Sequence, residues 1–315
     1  MKKKIAIIFG ISGQDGSLLA KFLIKKNYIV YGTSRFAALV NLKKLNFDKK
    51  IKLFKLKINS KKNIEQILIK TKCDEIYYLS GQSSVKASEK LSFETIISNN
   101  LPLVHILDYL RKTKKKIKLF NASSAEIFGN LGSTKCNENT QYDPRSFYAL
   151  SKVISLELTK TYRNQFKIWA CNGIMFNHES SLRSEKFVIK KIINSARKIS
   201  QKRQKKLTIG DINISRDWGW APEYVRGMWL ILNYKKPDDF VLATGKNNKL
   251  KDVIKKVFFK LNLNYKNYIK ISKKNFRKNE IKITRADISK AKKLLKWNPK
   301  MNINFLIGKM MNNKL

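Results

Sequence analysis

The sequence predicts an α/β fold built on a doubly wound parallel sheet, with a smaller α/β unit toward the C-terminus. Three observations carry this expectation. Short β-rich runs alternate with longer helical patterns through the first half of the chain, and parallel strands require such crossovers. A glycine-rich turn follows the first of these runs. With 315 residues, 43% of them hydrophobic, and 17 Phe, 12 Tyr and 5 Trp, the chain can bury a large core, which excludes a disordered segment or a disulfide-stapled miniature scaffold.

The elements follow in order. Three lysines and the apolar run to Phe9 superficially resemble a secretory leader, but the run breaks at Gly10 and no small-residue cleavage site follows, so Lys4 to Phe9 reads as a buried strand. Further strands are expected at Tyr28 to Gly32, Ile51 to Lys55, Glu75 to Leu79, Lys118 to Ala122 and Ile168 to Ile174, with a late one at Phe240 to Thr244. Between them, helical patterns cover Leu18 to Lys26, Ile64 to Lys70, Pro102 to Lys112 and Ser146 to Arg163, and a basic helix runs through Lys198. No apolar stretch reaches the length needed to cross a bilayer, so a soluble, cytoplasmic protein without a membrane partner is expected.

Charge and cysteine content narrow the function classes. Lys and Arg number 67 against 22 Asp and Glu, a formal net charge of +45. The lysines lie along the whole chain instead of gathering on one segment interleaved with aromatics, so the excess is read as a solvated surface that attracts anionic small molecules, not as a nucleic-acid footprint. Cys73, Cys136 and Cys171 are widely spaced, with no C-x-x-C pair; neither a metal site nor a disulfide framework is expected.

Gly10-Ile-Ser-Gly13-Gln14-Asp15-Gly16 stands directly after the first strand and opens the first helix. The early glycines allow a tight turn and close approach to a pyrophosphate, the last allows helix and strand to touch, and the helix N-terminus offers free N–H groups to the anion. This G-x-x-G-x-x-G is a variant of the dinucleotide fingerprint of a Rossmann domain. No acidic residue occurs between Asp15 and Asp48, whereas Thr33, Ser34 and Arg35 end the second strand. An arginine and two hydroxyls suit a 2′-phosphate, so NADP is expected in preference to NAD.

Tyr148 and Lys152 stand four residues apart at the start of a helix that Pro144 helps to initiate. That spacing puts both on one face, where the ammonium can lower the phenol pKa and let tyrosinate act as a base toward a sugar hydroxyl. The strand ending at Ala122 runs into Ser123-Ser124-Ala125-Glu126, and ligands bind at the C-terminal ends of strands in open α/β sheets. Ser124 can hydrogen-bond a hydroxyl, and Glu126 can accept a proton from carbon. His178 is as readily a packed imidazole as a functional one.

With Gly10, Gly13, Gly16, Ser124, Tyr148 and Lys152 in this order, the chain resembles the extended short-chain dehydrogenase/reductases, and more narrowly the GDP-mannose 4,6-dehydratase family. The carrying stretches are Gly10 to Leu19, Leu79 to Val85, Ala122 to Gly129, Pro144 to Lys152, Cys171 to Ser180, Gly210 to Val225 and Phe240 to Gly245. The resemblance implies a lyase that oxidises carbon 4 of GDP-mannose, removes the carbon 5 proton through Glu126, loses water from carbon 6 and returns the hydride there. It implies cofactor contacts from Gln14, Asp15 and Gln82 as well as Tyr148 and Lys152. For the GDP-sugar it implies Ser84, Asn177, Glu179, Val188, Lys191, Arg216, Arg277 and Glu280. On this reading residues 1–175 and about 212–244 form the NADP-binding domain, while about 176–211 and 245–315 bind the nucleotide sugar.

Several positions depart from the family pattern. Its catalytic threonine is Ser124, the next serine is Ala125, and an acid after the third strand has no counterpart in Lys55 to Asn59. A shortened insertion between Arg35 and Leu39 favours a homodimer over a tetramer. Ser181-Leu-Arg-Ser184 replaces Pro-Arg-Arg-Gly, which opens GDP-mannoheptose as an alternative substrate. A nucleotide-sugar 4-epimerase or 4-reductase would share the serine, tyrosine and lysine but needs no carbon 5 base. An NADP-sensing protein without catalysis would need none of the four.

Overall fold

A computed structural model describes residues 2–35, 39–277 and 279–313. Residues 36–38, on which the expectation about the shortened insertion falls, lie outside the described residues. Strands β1 (Ile5–Phe9), β2 (Ile29–Ser34), β3 (Lys52–Lys55), β4 (Glu75–Tyr78) and β5 (Lys118–Ser124) alternate with helices α1 (Gln14–Lys25), α2 (Val40–Lys44), α3 (Lys61–Thr71), α4 (Val85–Ser88) and α5 (Ser92–Thr113). There follow β6 (Lys135–Cys136), α6 (Phe147–Phe166), β7 (Ala170–Met175), β8 (Asn177–Glu179), α7 (Val188–Ser200), β9 (Leu207–Ile209) and β10 (Ser215–Trp220). The chain ends with α8 (Ala221–Leu232), β11 (Phe240–Leu242), β12 (Asn247–Lys249), α9 (Leu250–Phe259), β13 (Ile269–Ile271), β14 (Arg285–Ala286), α10 (Ser289–Leu295) and α11 (Ile303–Met311).

Seven of these strands form one parallel sheet in the order β11-β7-β5-β4-β1-β2-β3. Parallel strands covered by helices on both faces are buried on both, and β4 and β7 are buried at every position. One face packs Leu18 and Leu23 of α1 against Tyr224 and Met228 of α8. The other packs Ile64 and Ile67 of α3 against Leu103 and Ile106 of α5. This is the doubly wound sheet that the alternation predicts. A second core gathers Ile189, Ile192 and Ile193 of α7, Trp218 and Trp220 of β10, Val253 and Phe258 of α9 and Leu306 of α11. There β8, β10 and β12 form a three-stranded sheet, and β9 pairs with β13.

The sequence places a helix start at Pro102, but α5 begins at Ser92 and carries Pro102 inside it. Proline cannot donate to the carbonyl four residues back, here that of Ser98. The Tyr78 hydroxyl reaches this region from β4, donating to the carbonyls of Asn99 at 3.0 Å and Ser98 at 3.4 Å. A tertiary contact thus supplies the bond the proline removes. The sheet reverses its strand order between β1 and β4, which opens a crevice at their C-terminal ends.

Candidate active site

The turn after β1 is held by its glycines. Gly10 adopts φ +87°, and a Cβ there would lie 2.9 Å from the Leu79 carbonyl oxygen just beyond β4. At Gly16 a Cβ would meet the Gly10 carbonyl oxygen at 2.4 Å and Ile11 Cα at 2.6 Å, so the helix approaches the turn more closely than any side chain permits. Gly13 is the exposed N-cap of α1, with Gln14 and Asp15 as the first helical residues. Ser17 ties the turn together by donating to the Ile11 carbonyl at 2.8 Å. At the end of β2 the Thr33 hydroxyl is buried without a hydrogen-bond partner, and Arg35 follows it, exposed. An open helix N-terminus, an orphaned hydroxyl and an arginine fit a phosphorylated dinucleotide.

Across the crevice, β5 ends at Ser124, whose hydroxyl accepts from the Glu126 N–H at 3.3 Å and so starts the 3-10 turn Ala125–Phe128. The Ser146 hydroxyl caps α6 by accepting from the Ala149 N–H at 3.1 Å, which fixes the first two turns where Tyr148 and Lys152 sit. Ser124, Glu126, Tyr148 and Lys152 line one cleft of about 360 Å³. Asp15, Gln82, Ser84, Asn177, Glu179, Val188, Lys191, Arg216, Arg277 and Glu280 line the same cleft. Gly10, Gly13, Gln14 and Gly16 stand in the turn and helix start that deliver Asp15 to it.

The electrostatics differ in one respect from expectation. Burial pushes the Tyr148 phenol up to about 12, offset in part by a hydrogen bond with Ser124 and by the charge of Arg183. The lysine Nζ instead donates to the Ala122 carbonyl at 2.9 Å and lies 5.9 Å from the centre of the tyrosine ring. Burial lowers Lys152 itself to about 8. In this structure the ammonium thus bonds a backbone carbonyl of β5 while facing the tyrosine ring.

At the other end of the cleft, buried Arg216 pairs with Glu280 at 3.0 Å, and Arg277 approaches the same carboxylate oxygen at 3.6 Å. Burial lowers the Arg216 pKa against the opposing charges of Glu126 and Glu280, so this guanidinium sits in the field of the proposed carbon 5 base. Lys191 Nζ donates to the Thr208 carbonyl at 2.8 Å. The Gln82 amide donates to the Ser84 carbonyl at 2.8 Å, its oxygen accepts from the Ser84 N–H, and the Ser84 hydroxyl caps α4.

Two further residues line the cleft, His178, which the sequence leaves open, and Arg183, which it does not single out as a site residue. His178 is more than a packed imidazole: it stacks on Tyr224 with ring centres 4.4 Å apart, meets Asp15 through Nε2 at 2.9 Å and the Phe176 carbonyl through Nδ1 at 2.7 Å. Burial pulls its pKa down, but the charge and hydrogen bond of Asp15 outweigh this and leave it raised. Burial likewise opposes ionisation of Asp15, yet His178 holds that carboxyl down to about 2. Arg183 lies 3.2 Å from Glu179 and 3.4 Å over the Phe187 ring. Burial raises the Glu179 pKa despite that cation.

A glycine turn at the switch point facing a serine, a tyrosine and a lysine defines the extended short-chain dehydrogenase/reductase class. The fold is shared with the dTDP-glucose 4,6-dehydratase of Bacillus anthracis, solved in complex with NAD, at a TM-score of 0.86 and 17% identity over 98% of this chain and 96% of that one. Within the class, the family described as GDP-mannose 4,6 dehydratase matches residues 7–310, and the chain belongs to that family. GDP-mannose 4,6 dehydratase 1 of Arabidopsis thaliana is 36% identical over 326 residues, covering 99% of this chain and 90% of that protein. GDP-mannose 4,6 dehydratase of Drosophila melanogaster is 35% identical over 338 residues, covering 98% and 86%.

Proposed function

We propose that this protein converts GDP-mannose to GDP-4-keto-6-deoxy-mannose, a hydro-lyase reaction without net redox change, with NADP as its resident cofactor. The observation that carries this reading is a carboxylate, Glu126, on the same cleft as Ser124, Tyr148 and Lys152, because oxidation at carbon 4 needs only the last three. The absence of an acid at the end of β2, together with Arg35 there, supports NADP over NAD. That cofactor would supply the hydride acceptor for carbon 4 and the hydride donor for carbon 6.

The chain's own residues move the protons. Tyr148, as tyrosinate, takes the hydroxyl proton of carbon 4, and its hydrogen bond with Ser124 favours that anionic form before the step. The resulting ketone acidifies carbon 5, whose proton passes to Glu126. The same proton leaves with the carbon 6 hydroxyl as water, and the proton that Tyr148 took from the carbon 4 hydroxyl goes to carbon 5 as the hydride reaches carbon 6, which closes the balance. Arg216, Arg277 and Lys191 hold the diphosphate and base, since charge-assisted bonds to phosphate are strong and directional. Exposed Phe93 on α5 and Phe147, Leu150 and Phe166 on α6 support a homodimer through that helix pair.

The test is incubation with GDP-mannose and a catalytic amount of NADP, followed by product mass. The expected product is lighter by one water, with no build-up of reduced cofactor. An unchanged mass with inverted carbon 4, or stoichiometric cofactor turnover, overturns the reading.

A further inference from the structure

The first turn of α1 carries two opposed electrostatic features. It presents free N–H groups, as an anion-binding helix start does, yet its second residue, Asp15, is an acid on the wall of the cleft. A bare carboxylate there repels a diphosphate at the same turn. Both of its oxygens are engaged. Oδ1 accepts from the Gln14 amide at 2.9 Å, and Oδ2 meets His178 Nε2 at 2.9 Å. The other imidazole nitrogen, Nδ1, lies 2.7 Å from the Phe176 carbonyl, which can only accept, so Nδ1 carries a proton. With the Asp15 carboxyl held down to about 2, Nε2 carries one too. The pair is a carboxylate against an imidazolium, and Arg183 adds a second positive charge in its field.

Gln14 is itself buried, and the three hydrogen bonds of its side chain go to protein. Besides Asp15, its amide nitrogen donates to the His178 carbonyl at 3.3 Å, and its oxygen accepts from the Ser180 hydroxyl at 2.9 Å. Ser180 is fully buried and its oxygen accepts the Leu182 N–H at 3.2 Å, which leaves its one proton for Gln14. The amide has a single workable orientation, because turned over its oxygen would face the Asp15 carboxylate and the His178 carbonyl with no proton between them. We propose that Gln14, anchored by Ser180, is a positioning residue that masks the Asp15 charge together with His178, so that the glycine turn accepts the diphosphate of NADP. This rests on NADP as the resident cofactor, proposed above.

The experiment is a double-mutant cycle on NADPH affinity, read by cofactor fluorescence in substrate-free protein. Gln14→Met keeps the length of the side chain and removes its polar end. In the unmodified background it is expected to raise the NADPH Kd about tenfold, the scale of one charge at a helix start, and Ser180→Ala to raise it in the same direction by less. In the Asp15→Asn background there is no charge to mask, and Gln14→Met should leave the Kd within about twofold. A role in packing alone costs the same affinity in both backgrounds. That result, or a Kd that neither Gln14→Met nor Ser180→Ala moves, overturns the masking while leaving the cofactor standing. Failure of the unmodified protein to bind NADPH overturns both.

Discussion

Lys152 should cost the protein stability that its proposed catalytic role requires. The side chain is buried, with 7% of its surface exposed, and burial lowers its pKa from 10.5 to about 8. At pH 7 the group is still protonated, so the fold carries a desolvated ammonium at an expense of about 3 kcal/mol. Lys152→Met keeps the length and flexibility of the side chain and removes the charge, but it also removes the bond to the Ala122 carbonyl, worth about 1 kcal/mol. The variant should therefore unfold at higher denaturant, more stable by about 2 kcal/mol at pH 7, while losing activity. The sign with pH follows from the lowered pKa. Between about 8 and 10.5 the unfolded chain holds a proton that the folded one has released, so the unmodified protein gains stability as pH rises through that window. The variant does not, and the gap between them closes. Urea titrations of cofactor-stripped protein at pH 7 and pH 10 measure both effects. A variant less stable at pH 7, or a gap independent of pH, would refute the reasoning.

Asp15→Asn removes a carboxyl held at about 2 by His178; the stabilisation it supplies, about 2 kcal/mol, is present above its ordinary 3.8 and lost as pH falls toward 2. Acid unfolding followed by circular dichroism should accordingly start from a lower stability in the variant and be less steep below pH 4. Gly16→Ala places a methyl 2.4 Å from the Gly10 carbonyl oxygen, so the turn must shift, at about 1–3 kcal/mol of stability and with loss of NADPH binding measured by fluorescence. Glu126→Gln should oxidise carbon 4 but release no water, so that reduced cofactor accumulates in stoichiometric amount; dehydration at the unmodified rate would reassign the base.

What was legible in the sequence is what is local. The run Ile5 to Phe9, the three glycines and the helix after them specify β1, the turn and α1 within a few residues of one another. Ser124, Glu126, Tyr148 and Lys152 were legible because each sits at an element boundary that its own neighbours define, a strand end or a capped helix start. The start of α5 was hidden because the compensation for Pro102 comes from Tyr78 on another strand. Asp15 and His178 are 163 positions apart, and Arg216 and Glu280 are 64 apart, so no spacing rule brings either pair together. The direction of the Lys152 ammonium was equally invisible, since the i to i+4 relation fixes a shared helix face but not which nearby acceptor, phenol or carbonyl, the ammonium reaches.

The central claim is that one hydride leaves carbon 4 and comes back at carbon 6 of the same sugar. GDP-mannose carrying deuterium at carbon 4 tests it directly, with the product read by mass spectrometry and NMR. The account predicts full retention, with the deuterium in the new methyl group at carbon 6. Deuterium found in free reduced cofactor, or back at carbon 4, would contradict it.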